Sequence, residues 1–150
     1  MNKEYMLKAL ELAKLSLDSA DVPVGAVVVR GNEIIGEGYN KRELLNDPTA
    51  HAEIIAIKEA SKRLGSWHLD ECTLYVTLEP CPMCAGAIIN SRIKKVVFGA
   101  YEAKSGSCSA ESVVNLFSLG YNHKPEVEGG RMEKECAKLI TEFFKDKRRG

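Results

Sequence analysis

The apolar positions of this chain alternate between helical and strand periods. Over residues 4–17, Met6, Leu10, Ala13 and Leu17 recur every three or four positions, which predicts an amphipathic helix with that stripe buried. Pro23 leads into a β-branched run over 24–29, and Gly31-Asn32 turns the chain into 34–39, the signature of a hairpin. Asn46-Asp47-Pro48-Thr49 is a helix-start signal, with Thr49 or Asp47 as cap. The helix it opens carries Ile54, Ile57, Ala60 and Leu64 on one face and stops at Gly65. Residues 73–78 predict a short buried strand, and Pro82 suits the first position of a helix that includes Met83, Ala87 and Ile88. A strand over 95–99, a weaker helix over 110–119 and a short extended piece over 125–128 follow. The last helix puts Met132, Cys136, Leu139 and Phe143 on one stripe and ends in the basic tail 145–149. Crossover helices between the later strands predict a single α/β domain over 1–150, with three α/β/α layers around a central mixed five-stranded sheet.

Composition narrows the class. A chain of 150 residues, 45% hydrophobic and 28% charged, can bury a core without staples. No apolar run approaches the roughly 20 residues of a membrane span. Lys3, Glu4, Lys8, Glu11, Lys14 and Asp18 break up the N-terminal segment, which excludes the apolar core of a signal peptide. The expected location is the cytoplasm, with no membrane partner. Formal net charge is zero, so any nucleic-acid binding has to come from a local basic patch, and no DNA partner is expected. Of five cysteines, Cys81 and Cys84 form a C-x-x-C, which points to metal or redox chemistry rather than a disulfide framework.

The candidate chemistry sits in two segments, His51-Ala52-Glu53 and Pro80-Cys81-Pro82-Met83-Cys84, each at a predicted helix start. Zinc favours imidazole nitrogen and thiolate sulfur, and a catalytic site uses three such ligands with one position left for water. Helix N-termini favour the thiolate form, and bound zinc brings the pKa of water from about 15.7 towards about 7. Glu53 is then the group that takes the water proton and delivers it to a leaving group. Residues two apart point to different faces of a helix, so His51 and Glu53 converge only on a metal beyond the helix end. With Thr49 as cap, His51 falls in the first turn, where this is feasible.

A C-x-x-C also occurs in redox pairs and in structural zinc sites. The latter need a fourth closed ligand, for which Cys72, Cys108, Cys136, His68 and His123 are candidates. The combination of H-x-E with a downstream P-C-x-x-C is the more specific signal, and it is that of the zinc deaminases.

The runs Asp47-Pro48-Thr49-Ala50-His51-Ala52-Glu53 and Thr77-Leu78-Glu79-Pro80-Cys81-Pro82-Met83-Cys84-Ala85-Gly86-Ala87 resemble the cytidine deaminase superfamily. Within it, Phe98-Gly99-Ala100 and the Phe143-Phe144 helix with its basic end are similar to the bacterial tRNA-specific adenosine deaminases. The resemblance implies hydrolysis of the wobble adenosine in a tRNA anticodon loop to inosine, by a homodimer with one Zn2+ per subunit. It places zinc on His51, Cys81 and Cys84 and the proton shuttle on Glu53. Asn40 would hydrogen-bond the flipped-out purine. Glu102 stands where the family commonly has an aspartate that touches a loop ribose. Lys104, Phe144 and Arg148 are candidate contacts to RNA of the anticodon stem-loop, Phe144 by stacking or by packing at an interface. Two other readings use the same residues: a guanine or other nucleobase or nucleotide deaminase with a closed pocket, and a non-catalytic zinc-stabilised RNA-binding module.

Overall fold

The computed structural model describes residues 3–149, and of 148 and 149 the backbone only. Helix α1 (Lys3–Leu15) is followed by β1 (Gly25–Arg30), β2 (Glu33–Tyr39), the short α2 (Arg42–Leu45) and α3 (Ala52–Leu64). Then come β3 (Cys72–Leu78), α4 (Pro82–Asn90), β4 (Lys95–Ala100), β5 (Glu126–Glu128) and α5 (Glu133–Arg149). The strands form one sheet in the order β2-β1-β3-β4-β5. β1 is antiparallel to both β2 and β3, while β3, β4 and β5 run parallel, so the sheet is mixed as expected.

Side chains on a strand alternate between faces, and here each face meets its own layer of helices. Val27, Val29, Tyr75 and Val97 pack with Met6, Ala9 and Leu10 of α1 and Cys136 of α5. Ala26, Val28, Leu74, Val76, Val96 and Phe98 face the other way, against Ala52, Ala56 and Ala60 of α3 and Ala85 and Ile88 of α4. This is the three-layer arrangement that the element order predicts. Among the described residues, no helix is long and apolar enough to cross a membrane.

Three details differ from the sequence expectation. The helix expected over 110–119 is absent except for a single 3-10 turn at Leu116–Ser118. Ser107, Cys108, Ser109 and Ser112 instead bond to Glu79 and Pro80, and serines that bond in this way compete with helix formation. The first helix stops at Leu15, and a 3-10 turn over Ser16–Ser19 leaves Leu17 largely exposed. On α3 the fully buried line is Ala52, Ala56 and Ala60, with Ile57 and Leu64 only partly buried.

The α3 difference has a backbone cause. A Cβ at Gly36 would lie 2.2 Å from the Ala56 carbonyl oxygen, and one at Gly38 would lie 2.3 Å from that of Ala52. The helix therefore rides directly on the backbone of β2, a distance that only alanine on one side and glycine on the other permit. This contact fixes the height of the first turn of α3. Gly38→Ala is expected to lower the unfolding free energy by about 1–3 kcal/mol, the usual cost of overpacking, read as a reduced urea midpoint. An unchanged midpoint would show that the helix can lift off without cost.

Candidate active site

Both chemical segments start a helix at the same end of the sheet, where β3 finishes at Leu78. His51 and Cys81 are themselves the cap residues of α3 and α4, with extended backbones at φ −78°, ψ 152° and φ −76°, ψ 172°. Neither side chain caps its own helix, so both project off the helix ends. Thr49 instead donates from its N–H and Oγ1 to Oδ1 of Asp47, at 2.9 and 2.7 Å, in the turn ahead of the helix. The expected cap at Thr49 or Asp47 is thus displaced to His51. Because His51 is outside the helical turn, its two-residue offset from Glu53 no longer separates them.

The Nδ1 atom of His51 lies 3.7 Å from Sγ of Cys81 and 3.6 Å from Sγ of Cys84. All three donor atoms are within 4.8 Å of one another. Tetrahedral zinc, with nitrogen at about 2.0–2.1 Å and sulfur at about 2.3 Å, would separate nitrogen from sulfur by about 3.6 Å. The donor types and spacings fit that ion. Among the described residues, Cys72, Cys108, Cys136, His68 and His123 do not join this cluster, which has three members and leaves a side for a further ligand.

The charges follow from the contacts. The Cys84 thiol donates to Cys81, whose pKa falls to about 4 despite burial, with His51 also contributing. That same hydrogen bond, together with burial, pushes Cys84 far upward, and the bond to Cys81 raises His51. Metal binding to such a set displaces protons from Cys84 and His51. Glu53 is buried in the first turn of α3, and burial raises its carboxyl to about 7, against the opposing effects of a backbone hydrogen bond and the nearby His51.

A cavity of about 190 Å³ opens onto this cluster. It brings together Asn40, His51, Glu53, Cys81, Glu102 and Phe144 from the sequence prediction. Asn40 is buried; its Oδ1 accepts the Ala52 N–H at 2.9 Å and its Nδ2 donates to the Val22 carbonyl at 3.0 Å. It therefore caps α3 from the end of β2. Phe144 is 40% exposed and meets Phe143 edge-to-face, with centroids 5.2 Å apart. Lys104 lies outside this cavity, in an adjoining one with Glu102, Phe144 and Lys145. The Arg148 side chain lies outside the described residues.

The chain matches the MafB19-like deaminase family over residues 1–148. It is 47% identical over 145 residues to the tRNA-specific adenosine deaminase of Bacillus subtilis (strain 168), covering 97% of this chain and 89% of that one. The chain belongs to the tRNA-specific adenosine deaminase family. A solved structure of this family, from work on A-to-I editing by tRNA:A34 deaminases at the wobble position, is 41% identical with a TM-score of 0.87. The match covers 91% of this chain and 99% of that chain. The guanine deaminase of Bacillus subtilis is 44% identical with a TM-score of 0.65, over 67% of this chain and 65% of that one.

Arg42, Ser105 and Glu79 also line the cavity and were not singled out in the sequence. Arg42 is held by Asp21, whose side chain is fully buried. The Arg42 Nε and Nη2 atoms donate to Asp21 Oδ1 at 3.0 and 2.8 Å, and the Glu43 N–H donates to Oδ2 at 3.0 Å. The only sequence signal is an aspartate flanked by the apolar Ala20 and Val22, two positions before Pro23. Burial alone would raise Asp21, but these donors outweigh it and hold its carboxyl below the ordinary value. A depressed carboxyl stabilises the fold above its unfolded pKa, and that contribution is lost as the pH falls through the folded value. Asp21→Asn is thus expected to cost about 2 kcal/mol at neutral pH. The gap in urea midpoint between variant and parent should narrow progressively as the pH falls below about 4; a gap independent of pH would contradict the assignment.

Proposed function

We propose that the protein hydrolyses the wobble adenosine of a tRNA anticodon loop to inosine, releasing ammonia. The observation that carries this is a buried carboxyl, Glu53, beside a three-donor His/Cys/Cys cluster at the floor of a cavity. The relatives' names supply the substrate class. Zinc held by His51, Cys81 and Cys84 would lower the pKa of a water at its open position towards about 7, making hydroxide available at neutral pH.

The chain's own residues do the rest. Glu53 takes a proton from the attacking water and passes it to the departing amine. A carboxyl near pH 7 suits both roles, since acid-base efficiency peaks when the pKa matches the working pH. Asn40 spends one oxygen lone pair and one N–H on the protein, and keeps one of each for the edge of a purine. Phe144 offers a face at the mouth, while Glu102, Lys104, Lys145 and Arg148 contact the ribose and phosphates of the loop. Anticodon loops present bases already splayed, which lessens the cost of extraction. The protein acts as a single domain in the cytoplasm. It acts as a homodimer, the assembly that the family resemblance implies. The 44% identity to a guanine deaminase favours a second reading, in which a free purine occupies the same cavity.

Incubation with an anticodon stem-loop carrying a wobble adenosine is expected to yield inosine and ammonia in equal amounts, and guanine is expected to stay intact. Turnover of guanine alone would overturn the RNA assignment. Glu53→Ala should keep one zinc per chain by elemental analysis yet lose about 10²–10⁴-fold in turnover. Zinc loss in that variant would contradict a purely proton-handling role. Cys81→Ala should lose the metal itself. Light scattering should give twice the chain mass, and a monomer that is fully active would refute the dimer.

A further inference from the structure

Glu79 has no part in the chemistry above, yet its side chain accepts four hydrogen bonds beside the site. It is 3% exposed. Its Oε1 accepts the Glu102 N–H at 3.1 Å; its Oε2 accepts the Cys108 N–H at 3.0 Å, the Ser109 hydroxyl at 3.1 Å and the Ser112 hydroxyl. A carboxylate has about four lone-pair sites and no donor of its own, which suits a place where three donors converge on one oxygen and a fourth meets the other. The backbone reinforces the arrangement. The Glu79 N–H donates to the Ala100 carbonyl at 2.9 Å, and Pro80 O accepts from the Ser107 N–H and Oγ at 3.1 and 3.0 Å. A Cβ at Gly106 would lie 2.4 Å from Oε1, so glycine there lets the loop close around the carboxylate.

Residues 102–112 contain no helix or strand. They nevertheless supply Glu102 and Ser105 to the wall of the cavity and Lys104 to its outer rim. The carboxylate that organises them sits two positions before Cys81. We propose that Glu79 is a positioning residue: it fixes the 102–112 rim against the Cys81 segment and so sets the enzyme's grip on the RNA loop. The statement about grip rests on the RNA reading above; the statement about the rim does not.

The requirement is for a carboxylate, not merely a polar group of that size. In Glu79→Gln the amide NH2 must face either the Glu102 N–H or the Cys108 N–H, and neither can accept a hydrogen bond. One donor is left unpaired in a buried place, and hydrogen bonds to charged groups are among the stronger ones. The rim should loosen while the metal ligands stay in place.

The test uses the zinc-loaded protein. Glu79→Gln is expected to keep one zinc per chain and to raise KM for the anticodon stem-loop by about tenfold, with kcat changed less than about threefold. Hydrogen exchange at the amides of 102–112 should accelerate about tenfold or more, while that of β1 and β3 stays at the parent rate. The double variant Ser109→Ala/Ser112→Ala leaves the metal segment untouched and should move KM and exchange in the same direction by less. It carries the test if Glu79→Gln does not fold. Parent-like exchange in the loop would overturn the clamp. Faster loop exchange with KM unchanged and kcat reduced would overturn its role in grip. A parent protein that does not edit RNA would defeat the earlier reading, and the exchange result would still decide whether Glu79 holds the rim.

Discussion

Two helices begin side by side with a metal-type donor in the cap position, and the chemistry of the molecule follows from that coincidence. A cap residue has extended backbone angles, so its side chain leaves the helix instead of lying along it. His51 and Cys81 therefore reach into the same space, with Cys84 one turn into α4 and Glu53 in the first turn of α3. The two N-terminal dipoles point their positive ends there, where a low-pKa sulfur such as that of Cys81 is stabilised. The arrangement has a cost, because a residue that serves the site cannot also satisfy its own helix. Asn40 takes over that duty at the start of α3, and the same amide thereby becomes part of the cavity wall.

Much of this was legible in the sequence, and what was missed has identifiable causes. Strand periodicity and turn residues located every strand to within one or two positions, because alternation on a two-faced sheet is a strong local signal. The His, Glu and Cys residues were visible as a motif and are brought together as expected. The buried face of α3 was misread because it was judged by the size of its apolar residues. At Gly36 and Gly38 the sheet offers bare backbone, so the small alanines go inside and the isoleucines are left at the margin. The segment 110–119 differs for a related reason: its local pattern suits a helix, but a distant carboxylate claims the Cys108 and Ser109 donors just ahead of it and the Ser112 hydroxyl within it.

Buried acids are where local reading of this chain breaks down. Glu79 directly precedes Pro80 and Asp21 stands two positions before Pro23, so in sequence both look like turn residues. In the fold each organises an irregular segment by accepting several backbone and side-chain donors: α2 and Arg42 in one case, the 102–112 loop in the other. Irregular chain has no ladder of its own to satisfy its amides, so a carboxylate set in its midst does that work.

The wall formed by α5 has a further implication. Ile140 and Phe144 reach the cavity from a helix that belongs to the opposite layer, and α5 carries none of the residues in the metal cluster. The helix α5 thus adds to the cavity a stretch of wall that is separate from the helices carrying the donor atoms. Changes to the size or polarity of those two α5 positions can re-shape what fits without shifting a ligand atom.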